Sequence, residues 1–484
     1  MSNQAEKRGA SAIVIGASMA GLLAARALAN HFEQVTLLER DVFPARGENR
    51  RGVPQGRHTH VLLERGRQIM ESFFPGLTEE LLGLGAVEVR DASLELRWFR
   101  GGYHQPGASG IRGITLSRPT LEAVVRESVM VLPNVRAVEG CKVLGPVPGE
   151  DHVGRVAGVR VAAGEGGGEE TMYADLVVDA SGRGSRSPAW LEELGYEPPV
   201  VDQVEVRVGY TTYYFRREPQ HLRGLSGVVV APVPPDRRMG VMLGQDGNRW
   251  VVTIGGYLGD HVPADYQAFV DAARALPVSE IYDVVKDADL LGEPATYKYR
   301  ASVRHRYEAL DRFPEGYLVL GDALCSFNPI YGQGMTVAAL EAAALDECLA
   351  GGRHRLAQRF FARATPIVEA SWNAATGNDL AYPEVEGRRT PLVRFFNRYL
   401  DKLHVAAHHD AGVSIAFLKV INMLAPAPSI LHPRIVWRVV KGNVAASRRR
   451  RGVGNEIVDG EGIAIDVPDE RVEPSHQALK EHAR

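Results

Sequence analysis

The sequence predicts an α/β fold on three observations. An apolar run at 11–15 passes through Gly16-x-Ser18-x-x-Gly21 into an Ala/Leu-rich segment at 19–30 and a second apolar run at 35–39. That is the strand–turn–helix–strand pattern of a nucleotide cradle. A second apolar run ends at Asp179 and opens into a turn through Gly182 and Gly184. A third, 317–320, ends at Gly321-Asp322 and leads through Pro329, Gly332 and Gly334 into an Ala-rich helix. Together they describe a Rossmann-like domain assembled from separated stretches, with an inserted mixed or antiparallel β-sheet domain and C-terminal helices.

Element by element, a basic, turn-rich stretch at 46–60 precedes helical patterns at 62–74 and 78–84. Residues 94–115, rich in glycine and aromatics, read as an irregular β excursion. Leu121, Val124, Val125 and Val129 make the apolar stripe of a helix at 118–131. Runs at 153–161 and 171–178 read as paired strands around a loop at 164–168. Alternation at 204–215 and turns at Pro234-Pro235-Asp236 and Asp246-Gly247 describe a meander, with a helix at 265–276 and a last strand at 295–303. The helix at 334–349 is stopped by Gly351-Gly352. Beyond 371 the pattern is helical, with Leu392, Phe395, Phe396, Tyr399, Leu400 and Leu403 on one stripe. The expected boundaries are a cofactor domain at 9–90, 116–200 and 304–370, a substrate domain at 91–115 and 201–303, helices at 371–447 and a polar tail at 448–484.

The length of 484 residues suits about two or three structural units, and 45% hydrophobic with 24% charged residues is ordinary for a soluble protein. A net charge of −3 leaves no footprint for nucleic acid. The start, MSNQAEKRGA, is polar, and the apolar stretch 413–425 is too short to cross a bilayer. A cytoplasmic location without stable membrane insertion is therefore expected. Cys141, Cys325 and Cys348 match no metal-ligand spacing and read as reduced, buried thiols; no metal is expected.

The chemistry of the runs points to one cofactor. Gly16 permits the tight turn, Gly21 lets helix approach strand, and helix-start amides face a pyrophosphate. Ser18 replaces the usual middle glycine and adds a hydroxyl. Glu39, 23 residues after Gly16, can accept ribose hydroxyls. A strand–helix turn without ligand is the alternative for this run alone, and a plain βα loop for the run at Asp179. In the third run, Asp322 can bind a ribityl hydroxyl, and the helix start after Gly334 can stabilise charge on a reduced flavin ring. A nicotinamide enzyme has no use for that last run; the order points to FAD.

In order and spacing, the trio resembles the FAD-dependent group A monooxygenases, the para-hydroxybenzoate hydroxylase-like superfamily, over about residues 11–370. Arg50-Arg-Gly-Val-Pro-Gln55-Gly-Arg-His58-Thr-His60, Asp179-Ala-Ser-Gly-Arg-Gly-Ser-Arg186 and Phe327-Asn-Pro-Ile-Tyr-Gly-Gln-Gly-Met335 are similar to runs in bacterial epoxidases of polyether antibiotic pathways. FAD-binding decalin-forming cyclases of spirotetronate pathways lie nearby and use the flavin without net redox change. The resemblance implies that Glu39 holds the adenosine ribose, with Arg40 beside it at the cofactor. Arg50 and Arg118 would meet the pyrophosphate or ribityl region. Asp179 would lie near the pyrophosphate, Gly321 and Asp322 at the ribityl chain, and Pro329, Gly332, Gly334 and Met335 along the ring. Leu324-Cys325 departs from the histidine common in the family after Gly-Asp-Ala, and the Trp-x-Trp-x-Ile-Pro run of tryptophan halogenases is absent.

The implied activity is oxygenation of a lipophilic polyketide or terpenoid in secondary metabolism, by epoxidation or hydroxylation, with NAD(P)H as transient reductant. A non-redox [4+2] cyclase acting on a linear polyene is the rival. No side-chain acid or base is named, because the flavin supplies the chemistry. His58 and His60 read as polar contacts near the cofactor entrance or surface, and His404 with His408 as a solvated helix end. Trp98, Tyr210, Phe215, Trp250 and Tyr257 are candidates for either a cavity wall or core.

Overall fold

The computed structural model describes residues 7–150, 154–163 and 168–455. Its centre is a five-stranded parallel sheet in the order Tyr317–Val319, Leu176–Asp179, Gly9–Ile15, Phe32–Leu38, Val135–Val138. Ala12, Ile13 and Val14 are buried at 2% exposure or less, because helices cover the sheet and a parallel strand is apolar on both sides. The helix Met19–Ala29 is almost wholly buried, and the helix Gly334–Ala350 packs against it. The first and third sequence runs thereby meet.

A seven-stranded sheet forms the second layer. Val201–Arg216 pairs with Arg249–Gly256 and Ala295–His305, all antiparallel. At the far edge Leu96–Phe99 runs parallel to Gly227–Val230, so the excursion expected at 94–115 enters this sheet through its first strand, while Gly113–Thr115 pairs with Val87–Val89 in a separate two-stranded sheet. Tyr266–Arg274 and Glu280–Val285 cover one face, over a core containing Phe215, Trp250, Phe269 and Ile281. A three-stranded antiparallel sheet, Cys141–Pro148, Val156–Ala163 and Glu169–Tyr173, flanks the parallel one.

Two expectations need correction. The strand expected at 171–178 is two: Glu169–Tyr173 pairs with Val156–Ala163, whereas Leu176–Asp179 joins the parallel sheet. The chain changes sheet at Asp175, whose carboxylate accepts the amides of Ala10 and Ser11. The stripe from Leu392 to Leu403 is not one core face. Leu403 is fully buried, but Leu392 and Phe395 are 62% and 52% exposed, because the helix Pro391–Ala407 packs mainly through its C-terminal half. Residues 456–484, most of the expected tail, lie outside the described residues, as do 164–167 of the expected loop.

Candidate functional site

The first turn is built around glycine. Gly16 has φ +93°, and a Cβ on Gly21 would sit 1.8 Å from the Gly16 carbonyl oxygen. The first amide of the following helix to pair is Leu22 N, to Ser18 O. The amides before it sit at a helix N-terminus, where the ladder leaves donors free. The Glu39 carboxylate accepts the Ala17 amide (2.8 Å) and pins the turn to the end of the second strand.

Four buried charges alternate beside this turn. Arg50 Nη1 lies 2.7 Å from Glu39, and Arg50 Nε lies 2.8 Å from Glu122. Glu122 also pairs with Arg118 (3.0 Å), one helical turn away, and Arg118 donates to the Ser18 hydroxyl (2.9 Å). Burial works to raise the Glu122 pKa, and Arg118 and Arg50 outweigh it. Ser18 therefore serves a charge network: its hydroxyl donates to Glu122. Arg40 is exposed and stands outside the network. Asp179 is fully buried, and accepts Ser181 N, Ser185 Oγ and Ser187 Oγ. It shapes the second turn, whose backbone at Ala180 backs Gly16.

The third run closes on the first. Gly321 (φ +67°) is packed so tightly that a Cβ there would lie 2.7 Å from Ala20 Cβ. Asp322 makes no hydrogen bond or ion pair among the described residues, and a Cβ on Gly334 would lie 3.9 Å from its Oδ1. Its side chain is accessible, yet burial raises its pKa against the opposing pull of Arg183 and Arg118. It faces an internal cleft. Beneath it, Glu341 is fully buried and accepts the Gly321 amide (2.6 Å), while its other oxygen has no partner. Burial pushes the Glu341 pKa up to about 8, so the carboxyl is easier to protonate folded than unfolded. Its stabilising contribution is full at acidic pH and is lost as pH rises through about 8. Glu341→Gln keeps an acceptor for Gly321 and is expected to gain stability over the unsubstituted protein between pH ~5 and ~8; parallel denaturation curves at both pH values would refute the assignment.

Next to this cleft is a cavity of about 1000 Å³ whose walls come from all three parts of the chain. Pro329, Tyr331 and Gly332 form one wall, Tyr210 and Thr253 of the large sheet with Tyr257 just past its strand another, and Phe417, Leu418 and Ile421 of the helix Ala411–Ile421 a third. Of the aromatic candidates, Trp98, Tyr210 and Tyr257 line it, whereas Phe215 and Trp250 belong to the sheet core. Met335, assigned from the sequence to the ring, is 8% exposed at the start of its helix. His58 is buried against Thr212 (2.8 Å), and His60 contacts the His58 carbonyl. Burial lowers both histidine pKa values to about 4, so both are neutral near pH 7.

One cluster in the wall escaped the sequence reading. Asp379, fully buried near the end of the helix Leu356–Asp379, accepts through Oδ1 from Tyr331 Oη (2.8 Å), Tyr257 Oη (3.0 Å) and Asn328 Nδ2 (3.0 Å). Its Oδ2 has no partner. Burial pushes its pKa up to about 6, with the three donors opposing. Tyr257 and Tyr331 both line the cavity and touch each other (3.0 Å), so a proton can pass between Asp379 and the cavity through either hydroxyl. His404 also departs from expectation: it is 5% exposed and paired with His104, not a solvated helix end.

The chain matches no protein-family model. It is 37% identical over 454 residues to Protein Rv3254 of Mycobacterium tuberculosis, covering 90% of this chain and 94% of that one. The chain belongs to the Rv3254 family. Among solved structures it is similar to the flavin-dependent brominase Bmp2 (TM-score 0.60, 14% identity, 91% of this chain and 99% of that one). It is also similar to PqsL, a probable FAD-dependent monooxygenase from Pseudomonas aeruginosa (TM-score 0.59, 16% identity, 78% and 97%). At these identities the likeness is one of fold: this Rv3254 relative has the architecture of FAD-dependent monooxygenases and halogenases.

Proposed function

We propose that this chain is an FAD-dependent monooxygenase acting on a lipophilic small molecule. The observation that carries the reading is the convergence of an unpartnered acid, Asp322, with two glycine turns at adjacent helix starts. The fit to FAD is good. The Gly16–Gly21 turn suits a pyrophosphate, and Glu39 beside it would take the adenosine ribose by exchanging its Arg50 partner for the ribose hydroxyls. Asp322 would take a ribityl hydroxyl, and Gly332 with Gly334 would let a flat ring approach their backbone. Arg50 and Arg118 would flank the phosphates.

Bound FAD supplies two-electron transfer from NAD(P)H and activation of dioxygen. The chain supplies position and water exclusion: an apolar cavity next to the cleft holds the second substrate, and Asp379 with its tyrosines offers a proton there. The size of the cavity and its mainly aliphatic and aromatic lining support a polyketide or terpenoid substrate, with alkene epoxidation or hydroxylation as the reaction.

Anaerobic mixing of the purified yellow protein with NADPH, with and without a linear polyene, tests the reading. Substrate-stimulated bleaching of the flavin is expected before air is admitted, and a product heavier by one oxygen atom once dioxygen is supplied. An unbleached flavin together with an isomerised polyene would transfer the assignment to the non-redox cyclase. Asp322→Ala is expected to come out colourless or weakly coloured, since its ribityl contact is lost; full flavin occupancy in that variant would remove Asp322 from the site.

A further inference from the structure

Four arginines, Arg65, Arg97, Arg100 and Arg112, line the cavity between the large sheet and the C-terminal helices, and among the described residues no aspartate or glutamate does. Three of the four are accounted for or peripheral. Arg112 pairs with Glu88 at the surface (3.2 Å), Arg97 stacks on Tyr103 (5.0 Å), and Arg65 is exposed. Arg100 differs. Its side chain is only 15% exposed, and its sole acidic partner among the described residues, Asp401, is 63% exposed and 3.6 Å away, beyond a good hydrogen bond. Its charge reaches His104, His404 and Tyr382, all of which line the cavity.

His104 Nε2 and His404 Nδ1 are 3.0 Å apart. His104 Nδ1 is buried without a partner. Burial, then His408 and Arg100, lowers the His104 pKa to about 3, and burial, then Arg100, lowers that of His404, so both rings are neutral and one N–H···N hydrogen bond joins them. Two tautomer arrangements satisfy the pair. If His404 donated, His104 would bury an orphan N–H; if His104 donates, the orphan is a bare acceptor. A buried orphan donor is the rarer of the two. The second arrangement leaves His404 carrying its free proton on Nε2, a ring nitrogen with no hydrogen-bond partner among the described residues, in a residue that lines the cavity. Arg100 thus brings positive charge, and His404 a neutral N–H donor, to a mainly apolar chamber.

We propose that Arg100 and the His104–His404 pair form a head-group site for a carboxylate, so that the cavity takes lipophilic acids and not neutral lipids. The placement is anchored: the loop carrying Arg100 is tied to the helix carrying His404 through Gln105 N to Ala407 O (2.7 Å) and His408 Nε2 at the Arg100 carbonyl (3.1 Å). The apolar remainder of the ligand would run along Phe417 and Leu418 toward Ile330. This inference rests on reading the cavity as the substrate site, but on no redox step.

The test is calorimetric titration of the flavin-loaded protein with dodecanoate and with dodecan-1-ol, which share a chain and differ in the head. Dodecanoate is expected to bind about tenfold or more tightly than the alcohol, as charge-assisted hydrogen bonds require. Arg100→Gln should erase the difference, Arg100→Lys should restore part of it, and His404→Phe should weaken dodecanoate while leaving the alcohol unchanged. Arg112→Gln, at the rim, should keep the full preference. Equal affinities, no saturable dodecanoate binding, or a preference that survives in a folded Arg100→Gln protein would each overturn the proposal. Flavin content measured on the same samples separates the two readings. Carboxylate preference in protein that cannot hold FAD sinks the oxygenase assignment alone, and flavin-replete protein without the preference sinks the head-group site alone.

Discussion

Gly21→Ala is expected to lose at least about 3 kcal/mol of stability and to be recovered without flavin. The added methyl would be placed 1.8 Å from the Gly16 carbonyl oxygen and 3.4 Å from Val14 Cγ1. Neither contact is with the free end of a flexible side chain, so relief requires the helix Met19–Ala29 to move away from the strand Gly9–Ile15. That movement would break the packing of a helix in which nine of eleven residues are buried, and would carry the helix-start amides away from any phosphate. Gly184→Ala is the control, since a Cβ there meets nothing within 4 Å and Gly184 has no positive φ. Urea unfolding and the flavin absorbance of both variants decide the matter. A Gly21→Ala protein that unfolds with Gly184→Ala would show that the turn tolerates a side chain and that close backbone approach is not what Gly21 provides.

Close backbone approach of this kind is also what makes part of the site legible in the chain alone. Gly16, Gly21, Gly321 and Gly334 are legible because a sharp turn or a close approach admits almost nothing else, and Glu39 and Asp322 because an acid ending an apolar strand is out of pattern. All of these depend on neighbours within a few residues. Asp379 depends on Tyr257, Asn328 and Tyr331, between 48 and 122 residues away, and sits in a helix whose periodicity carries no sign of them. Glu122 was hidden for a related reason: one turn after Arg118 it looks like an ordinary helical ion pair, and only the fold adds Arg50 and Ser18. His404 and His408 on one helix face read as solvent-exposed because the loop that covers them, through Gly102 and His104, lies some three hundred residues earlier. The C-terminal helices carry no motif, and their role as a cavity wall follows from where the preceding domains leave an apolar surface open.

Asp379→Asn is expected to change the pH dependence of stability more than its level at any one pH. Folding raises the Asp379 pKa from 3.8 to about 6, which corresponds to about 3 kcal/mol of preference for the protonated form. A carboxyl that is easier to protonate folded than unfolded stabilises fully below its unfolded pKa, and the contribution disappears as pH rises through about 6. Asparagine keeps the carbonyl that Tyr257, Tyr331 and Asn328 address but carries no charge at any pH. The variant should therefore gain about 3 kcal/mol relative to the unsubstituted protein between pH ~4 and ~7. At the acid end it should be slightly the less stable, because its amide would bury donors where Asp379 Oδ2 already lacks a partner. Denaturant titrations at the two pH values measure this directly. A constant difference between the proteins would mean that Asp379 is ionised throughout, held by the two hydroxyls and the amide. It would then have no proton to offer, and the hydroxyls of Tyr257 and Tyr331 would face the cavity as plain hydrogen-bonding groups.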